Sequence, residues 1–211
     1  MERPLSQLIH FPFQTGTGSP IVMTLHRYNT FAGSMRDIGL AVNPDGRVLG
    51  LESTKGVYLG RNIVGYTWFV GPLTQPSPVH FGDSMLELER FFWDQIDGQE
   101  TDEAILPFLV GDEQGAIMAI AMAGAVPDLL SGVVALNVDF PTVPGWEPPL
   151  APLDGLPILL INPVDGPSLT KTLNSWGASV TSISTPDGAL PLEDIRSWVA
   201  EQPVRTHRKE N

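Results

Sequence analysis

FLVGDEQGAIMAIAMA, residues 108–123, decides the architecture of this chain. Its first part closes AILPFLV (104–110), an apolar block with the length and composition of a buried strand. Its last part opens QGAIMAIAMAGA (114–125), which is apolar nearly all round and predicts a helix covered on every side. Gly111 and Gly115 bracket the reversal between them. A buried strand that turns at once into a buried helix is a unit of a mostly parallel sheet with helices on both faces.

The same alternation runs outward in both directions. PIVMTLH (20–26), RVLGLE (47–52), GVVALNV (132–138) and PILLI (157–161) are short continuous apolar blocks, the pattern of strands buried on both faces. ASVTSIST (178–185) is more polar and suits an edge strand. LSQLIHFPF (5–13) adds an antiparallel edge strand. Between the blocks lie helical patterns. Ser84 and Glu87 have capping-box spacing, and Met85, Leu88, Phe92 and Ile96 follow on one helical face. Pro167 opens a helix carrying Leu169, Leu173 and Trp176, which Gly177 closes. Pro191 opens a last one with Leu192, Ile195, Trp198 and Val199 inward. The Pro-rich stretch 141–157 reads as a loop between two strands. With no internal repeat and no long linker, residues 1–211 are expected to form one domain, with 205–211 a frayed tail.

Composition narrows the function. Gly and Pro supply 21 and 20 of 211 residues, which argues for many tight turns and against a helical bundle. The net charge of −12 disfavours nucleic acid and anionic membrane surfaces as partners. With no cysteine, thiolate catalysis, disulfides and Cys-based zinc sites are excluded. No apolar run is long enough for a membrane span or a signal-peptide core, so a soluble cytoplasmic protein is expected.

A strand, a Gly-x-x-x-Gly turn and a buried small-residue helix make the frame of a nucleophile elbow. At Gly111, Asp112, Glu113, Gln114 and Gly115 the turn resembles the Gly-Phe-Ser-Gln-Gly of the phospholipase/carboxylesterase (serine esterase) branch of the α/β-hydrolases. Both glycines and the glutamine match, and Glu113 stands where that family has serine. LHRYN (25–29) resembles its Leu-His-Gly-x-Gly oxyanion loop, and GYTWF (65–69) its Gly-Arg-x-Trp-Phe segment. LLINPVDGP (159–167) and TPDGALP (185–191) resemble the stretches that carry its acid and its histidine. The likeness runs from about residue 18 to residue 200. It implies an α/β-hydrolase fold without a lid domain, hydrolysis of carboxylic esters or thioesters, acyl substrates and no cofactor.

The departures fall on the machinery. By this resemblance Gly166 occupies the acid's position, with Asp165 one place early, and Ala189 that of the histidine. Arg27 and Asn29 replace the oxyanion-loop glycines, which would let backbone N–H groups approach an oxyanion. Nucleophilic catalysis needs a nucleophile, a base and a group that orients the base. The only histidine after residue 80 is His207, in the expected tail. His26, on the oxyanion loop, is expected to make a structural hydrogen bond. Glu113 is expected to pair with a cation, Arg27 first, or to face water. Asp112, Glu113 and His26 are suitable ligands for a divalent ion, but no further histidine stands at ligand spacing, and no metal is assigned. Trp68 and Phe69 lie near this site; packing is their first reading and ligand contact the second, with Tyr28 a further pocket residue. The expectation is a catalytically degenerate carboxylesterase homologue that binds a small acyl-type ligand or a protein partner. An active hydrolase with rearranged residues and a structural subunit, in a homodimer or beside an active paralogue, are the alternatives.

Overall fold

A computed structural model describes residues 10–209. The chain opens with β1 (His10–Thr15) and β2 (Gly18–Leu25), and a 3-10 turn at Ala32–Met35 leads into α1 (Arg36–Val42). Then come β3 (Gly46–Glu52), a hairpin of β4 (Lys55–Leu59) and β5 (Asn62–Thr67), and α2 (Pro78–Asp97). The second half runs β6 (Glu103–Ile105), β7 (Phe108–Asp112), α3 (Gln114–Ala125), β8 (Gly132–Leu136), β9 (Pro157–Ile161), α4 (Gly166–Ser175), β10 (Ser179–Ile183), α5 (Leu192–Glu201) and β11 (Thr206–Arg208). Seven strands form one sheet in the order β1-β3-β2-β7-β8-β9-β10. All neighbours are parallel except β1, which runs antiparallel to β3 at the edge. Residues 5–9 of the expected first strand lie outside the described residues, and β10 is an edge strand as its polarity predicts.

The continuous apolar blocks have a direct explanation. Val133 and Ala135 of β8 enter one core cluster and Val134 and Leu136 the other. Successive side chains on a strand point to opposite faces, so a strand covered on both must be apolar throughout. α2, α3 and α4 cover the first face, with Leu88, Ile117 and Leu173 among the inward residues. α1 and α5 cover the second through Val42, Ile195 and Val199. All residues from Gln114 to Gly124 of α3 are buried, which accounts for its lack of a polar stripe. Among the described residues no helix is long and apolar enough to cross a membrane.

Several expectations need correction. Residues 104–110 are not one strand. Pro107 has no N–H to give a ladder, and the segment divides into β6 and β7. α2 begins at Pro78 rather than at Ser84. Ser84 lies inside the helix, fully buried, where its Oγ donates to the Trp68 carbonyl (2.5 Å) and accepts from Lys55 Nζ (2.9 Å). Glu87 pairs with Lys55 at 3.3 Å. The Ser-x-x-Glu spacing therefore ties α2 to the β4–β5 hairpin instead of capping a helix. That hairpin, not expected from sequence, turns at Gly60 (φ 64°) and Arg61.

The tail is the clearest reversal. Residues 206–208 pair antiparallel with β6, and Leu106 N–H donates to the Arg205 carbonyl at 3.0 Å. The Arg205 guanidinium donates to the carbonyls of Pro127 and Leu130, both at 3.2 Å. His207 sets its ring edge-on to Trp93. The short, charged stretch carries no apolar periodicity, so its partner β6 is visible only in three dimensions. Ending the chain at Val204 should destabilise the protein by about 2 kcal/mol, from several hydrogen bonds worth about 0.5–1.5 kcal/mol each net and partly exposed. Thermal unfolding should fall by about 4–8 °C; an unchanged melting temperature would mark the pairing as incidental.

Candidate functional site

The site is built on the turn between β7 and α3. Glu113 sits there at φ 47° and ψ −104°, a conformation that L side chains rarely adopt. The glycines on either side explain why the chain accepts it. A Cβ at Gly115 would run into the Leu25 carbonyl at the end of β2, and one at Gly111 into the carbonyl of Gly115. The first turn of α3 is thus pressed against two strand ends with no room for a side chain. Only a sharp reversal at 113 brings it there.

Glu113 is one of three matching steps. Its N–H donates to the last carbonyl of β8, Leu136, at 3.0 Å. Asn137 N–H does the same to Ile161 of β9 (2.8 Å), and Asn162 N–H to Ile183 of β10 (2.9 Å). All three residues have positive φ, at 47°, 51° and 49°. Asparagine tolerates that region comparatively well, whereas glutamate has no such excuse. Asn137 Nδ2 donates to Asp112 Oδ1 (2.8 Å), and Asp112 is 8% exposed. Asn162 Oδ1 accepts from Thr185 N–H (2.8 Å), while its Nδ2 donates to the carbonyls of Gly188 (3.1 Å) and Ala189 (3.2 Å). Sequence reasoning passed over both asparagines. An Asn directly after an apolar strand block was their signal.

Glu113, Gly166 and Ala189 follow β7, β9 and β10, so all three stand at the C-terminal edge of the sheet, where open α/β sheets bind ligands. Glu113 and Gly166 are half-buried and Ala189 is exposed. Asp165 is used as the N-cap of α4, accepting from Ser168 N–H at 3.2 Å. Gln114 points inward. Its Oε1 accepts from Trp68 N–H (3.1 Å) and lies 2.8 Å from Thr67 Oγ1, and its Nε2 donates to the Phe69 carbonyl (2.9 Å). Trp68 and Phe69 are fully buried, so they serve packing and wall no accessible pocket. Tyr28, 51% exposed, stays on the surface.

His26 is fully buried, stacked on Trp68 with ring centroids 5.1 Å apart. Its Nε2 accepts from Ser53 N–H (3.2 Å), so Nδ1 carries the proton and donates to the Arg27 carbonyl (2.8 Å). Both nitrogens are occupied by backbone, which leaves none for a base or a metal. Asp112, Glu113 and His26 therefore do not converge as ligands, and no group of three metal-ligating side chains gathers among the described residues. Arg27 is exposed and, among the described residues, makes no ion pair with Glu113; that expected pairing is not made.

The chain has the α/β-hydrolase fold. It is similar to the carboxylesterase of Mesorhizobium loti, with a TM-score of 0.68 at 16% identity over 86% of this chain and 88% of that one. The Bacillus cereus carboxylesterase gives a TM-score of 0.68 at 16% identity, over 88% and 90% of the two chains. Esterase PE8 gives 0.67 at 20% identity, over 93% and 100%. By sequence, no family model and no curated protein matches. Identities this low speak for the α/β-hydrolase fold alone, and the chemistry must come from the residues.

Two outcomes follow from this geometry. Relief of strain at residue 113, about 1–3 kcal/mol, exceeds the unfolded-state entropy that glycine adds, about 0.4–1 kcal/mol. Glu113→Gly should therefore raise the melting temperature by about 2–4 °C, a net gain of about 1 kcal/mol. A drop of several degrees would show that the carboxylate makes a contact worth more than the strain.

Burial pushes His26 down from 6.5 to about 4, against a smaller opposing effect of its bond to the Arg27 carbonyl. A depressed histidine is neutral in the folded state and protonated first in the unfolded chain. Stability is thus full above pH 6.5 and is lost as pH falls toward 4, by about 3 kcal/mol. Urea titrations at pH 7 and pH 4 should show His26→Asn losing about that much less than the parent on acidification. Equal losses would assign the acid sensitivity to the carboxylates alone.

Proposed function

We propose that this protein is a catalytically degenerate homologue of carboxylesterase- and phospholipase-type hydrolases, which uses the rim above α3 to bind a small acyl-type ligand or a protein partner. One observation carries this reading. The residue held at positive φ between β7 and α3 is Glu113, a carboxylate at the place where the fold presents its nucleophile. The loops after β9 and β10 bring Gly166 and Ala189, neither of which is a base or an acid.

The chemistry of an ester shows what is lacking. If the Glu113 carboxylate attacked an acyl carbon, the product would be an anhydride on the protein. Its release requires water activated by a neighbouring base. His26 faces inward with both nitrogens engaged, and His80 and His207 lie on α2 and β11. Stabilisation of an oxyanion is weakened as well. Asn29, at φ 54°, directs its N–H to the Tyr66 carbonyl (2.9 Å), on a loop that glycines would leave open. The N–H groups that head α3 remain as an anchor for a ligand carbonyl or carboxylate.

Purified protein should hydrolyse p-nitrophenyl acetate and butyrate no faster than a denatured control, and a fluorophosphonate probe should not label it. Turnover above about 0.1 s⁻¹, well below a median enzyme value of about 10 s⁻¹, overturns the reading if Glu113→Gln removes it. The triple variant Glu113→Ser, Gly166→Asp, Ala189→His should remain at least about 100-fold below an active esterase, the usual cost of a lost oxyanion donor. Full recovery would show the loop at 25–29 to be competent.

A further inference from the structure

A second, separate site lies on the flank of the molecule. α2, the end of α3 and the Pro-rich loop enclose a cavity of about 510 Å³ lined by Phe81, Gly82, Met85, Met122, Val143 and Trp146 among others. This volume is that of small-molecule sites, about 300–1,000 Å³. Met122 is nine residues beyond Glu113 along α3, about 13 Å at about 1.5 Å per residue. The cavity is therefore distinct from the rim, and the inference does not rest on the loss of the esterase machinery.

Three observations make it a built site. The first is the pattern on α2. Ser84, Leu88 and Phe92 turn into the core, Phe81 borders both core and cavity, and Gly82, Met85, Leu86 and Glu89, at helical spacing, line the cavity. The helix has a second stripe that the fold covers only in part: Met85 packs partly against the core, while Leu86 is 53% exposed. The second is Gly82. It sits in a helix, where glycine costs about 1 kcal/mol relative to alanine, yet a Cβ there would meet nothing within 4 Å. Packing does not demand glycine; a larger side chain would intrude on the cavity. The third is the rigidity of the opposite wall. Leu150 N–H donates to the Gly124 carbonyl (2.8 Å), and Thr142 N–H to the Thr74 carbonyl (3.1 Å). The Trp146 ring is held against Phe81 and Phe140, with centroids 5.1 and 5.8 Å away.

The charges identify the ligand class. Asp83 and Glu89 are the ionisable residues of the lining, which holds no Lys, Arg or His. Neither carboxylate enters an ion pair or a side-chain hydrogen bond among the described residues. The remainder of the molecule adds its net charge of −12. A fatty carboxylate would be repelled, whereas an ammonium group gains two carboxylates and an aromatic wall suited to cations. We propose that this cavity binds an apolar amine, a hydrophobic chain or ring carrying one positive charge, with the apolar part between Met85 and Met122 and the cation toward Glu89.

Isothermal titration calorimetry with decyltrimethylammonium below its micelle concentration tests this, with decanoate as the same chain of opposite charge. We expect one ammonium per protein and at least about 10-fold weaker binding of decanoate. Gly82→Leu, which fills the cavity and favours the helix, should weaken the ammonium by more than about 10-fold without lowering the melting temperature. Glu89→Gln should weaken it by about 3–5-fold, the scale of a partly exposed charge pair. Glu89→Lys, a change that leaves packing alone, should reverse the preference toward decanoate. Equal or tighter binding of decanoate to the parent protein overturns the charge assignment. Ammonium binding unaffected by both Gly82→Leu and Glu89→Lys overturns the site.

Discussion

The contact on which everything else depends is the one between the first turn of α3 and the ends of β2 and β7. Backbone meets backbone there, and a single methyl group at Gly111 or Gly115 has nowhere to go. Because the helix is drawn this close, its other sides are enclosed by the rest of the fold, and beyond Gln114 its residues are apolar throughout. Because the approach is so abrupt, residue 113 is forced out of the ordinary backbone regions whatever its side chain. The elbow is thus a consequence of packing first and a feature of chemistry second. Glutamate is held there at positive φ because the interface around it over-determines the turn.

The loops of the rim are held by contacts independent of the side chains they display. Each loop that would carry a catalytic group is secured by main-chain or amide hydrogen bonds. Asn162 binds the loop at 185–189 on both sides of its amide, Asp165 caps α4, and Gln114 fastens the segment at 67–69. None of these contacts uses the side chain of Glu113, Gly166 or Ala189; Ala189 takes part through its main-chain carbonyl. Their identities can vary with little effect on the loops that display them, which is why fold and activity separate so readily. His26 illustrates the opposite case, a histidine on the loop nearest the elbow that serves the fold alone, holding Arg27 and Ser53 together.

Elements with a repeating apolar pattern were legible before the structure, and those without one were not. β9 and α3 fall on the residues expected, because a strand covered on both faces and a helix covered all round leave no other composition open. The pairing of β11 with β6 rests on a partner far away in sequence, whereas the β4–β5 hairpin and the start of α2 at Pro78 are local but carry no repeating apolar pattern. Ser84 and Glu87 had the spacing of a cap, but Lys55, remote along the chain, decides what they do. Arg27 was the nearest cation to Glu113 by loop assignment alone, and the direction of its side chain was not a property of the loop.

By itself, then, the sequence determined the class of sheet and the place of the sharp turn between β7 and α3, since these depend on local pattern. The tertiary structure decided the rest. It decided between packing and ligand contact for Trp68 and Phe69 by burying both, engaged both nitrogens of His26, and left a cavity beside α2 where the sequence shows only a loop and a helix. The physical reason is the same in each case. Burial, hydrogen-bond partners and enclosed volume are properties of groups brought together from distant parts of the chain, and no periodicity within a segment encodes them.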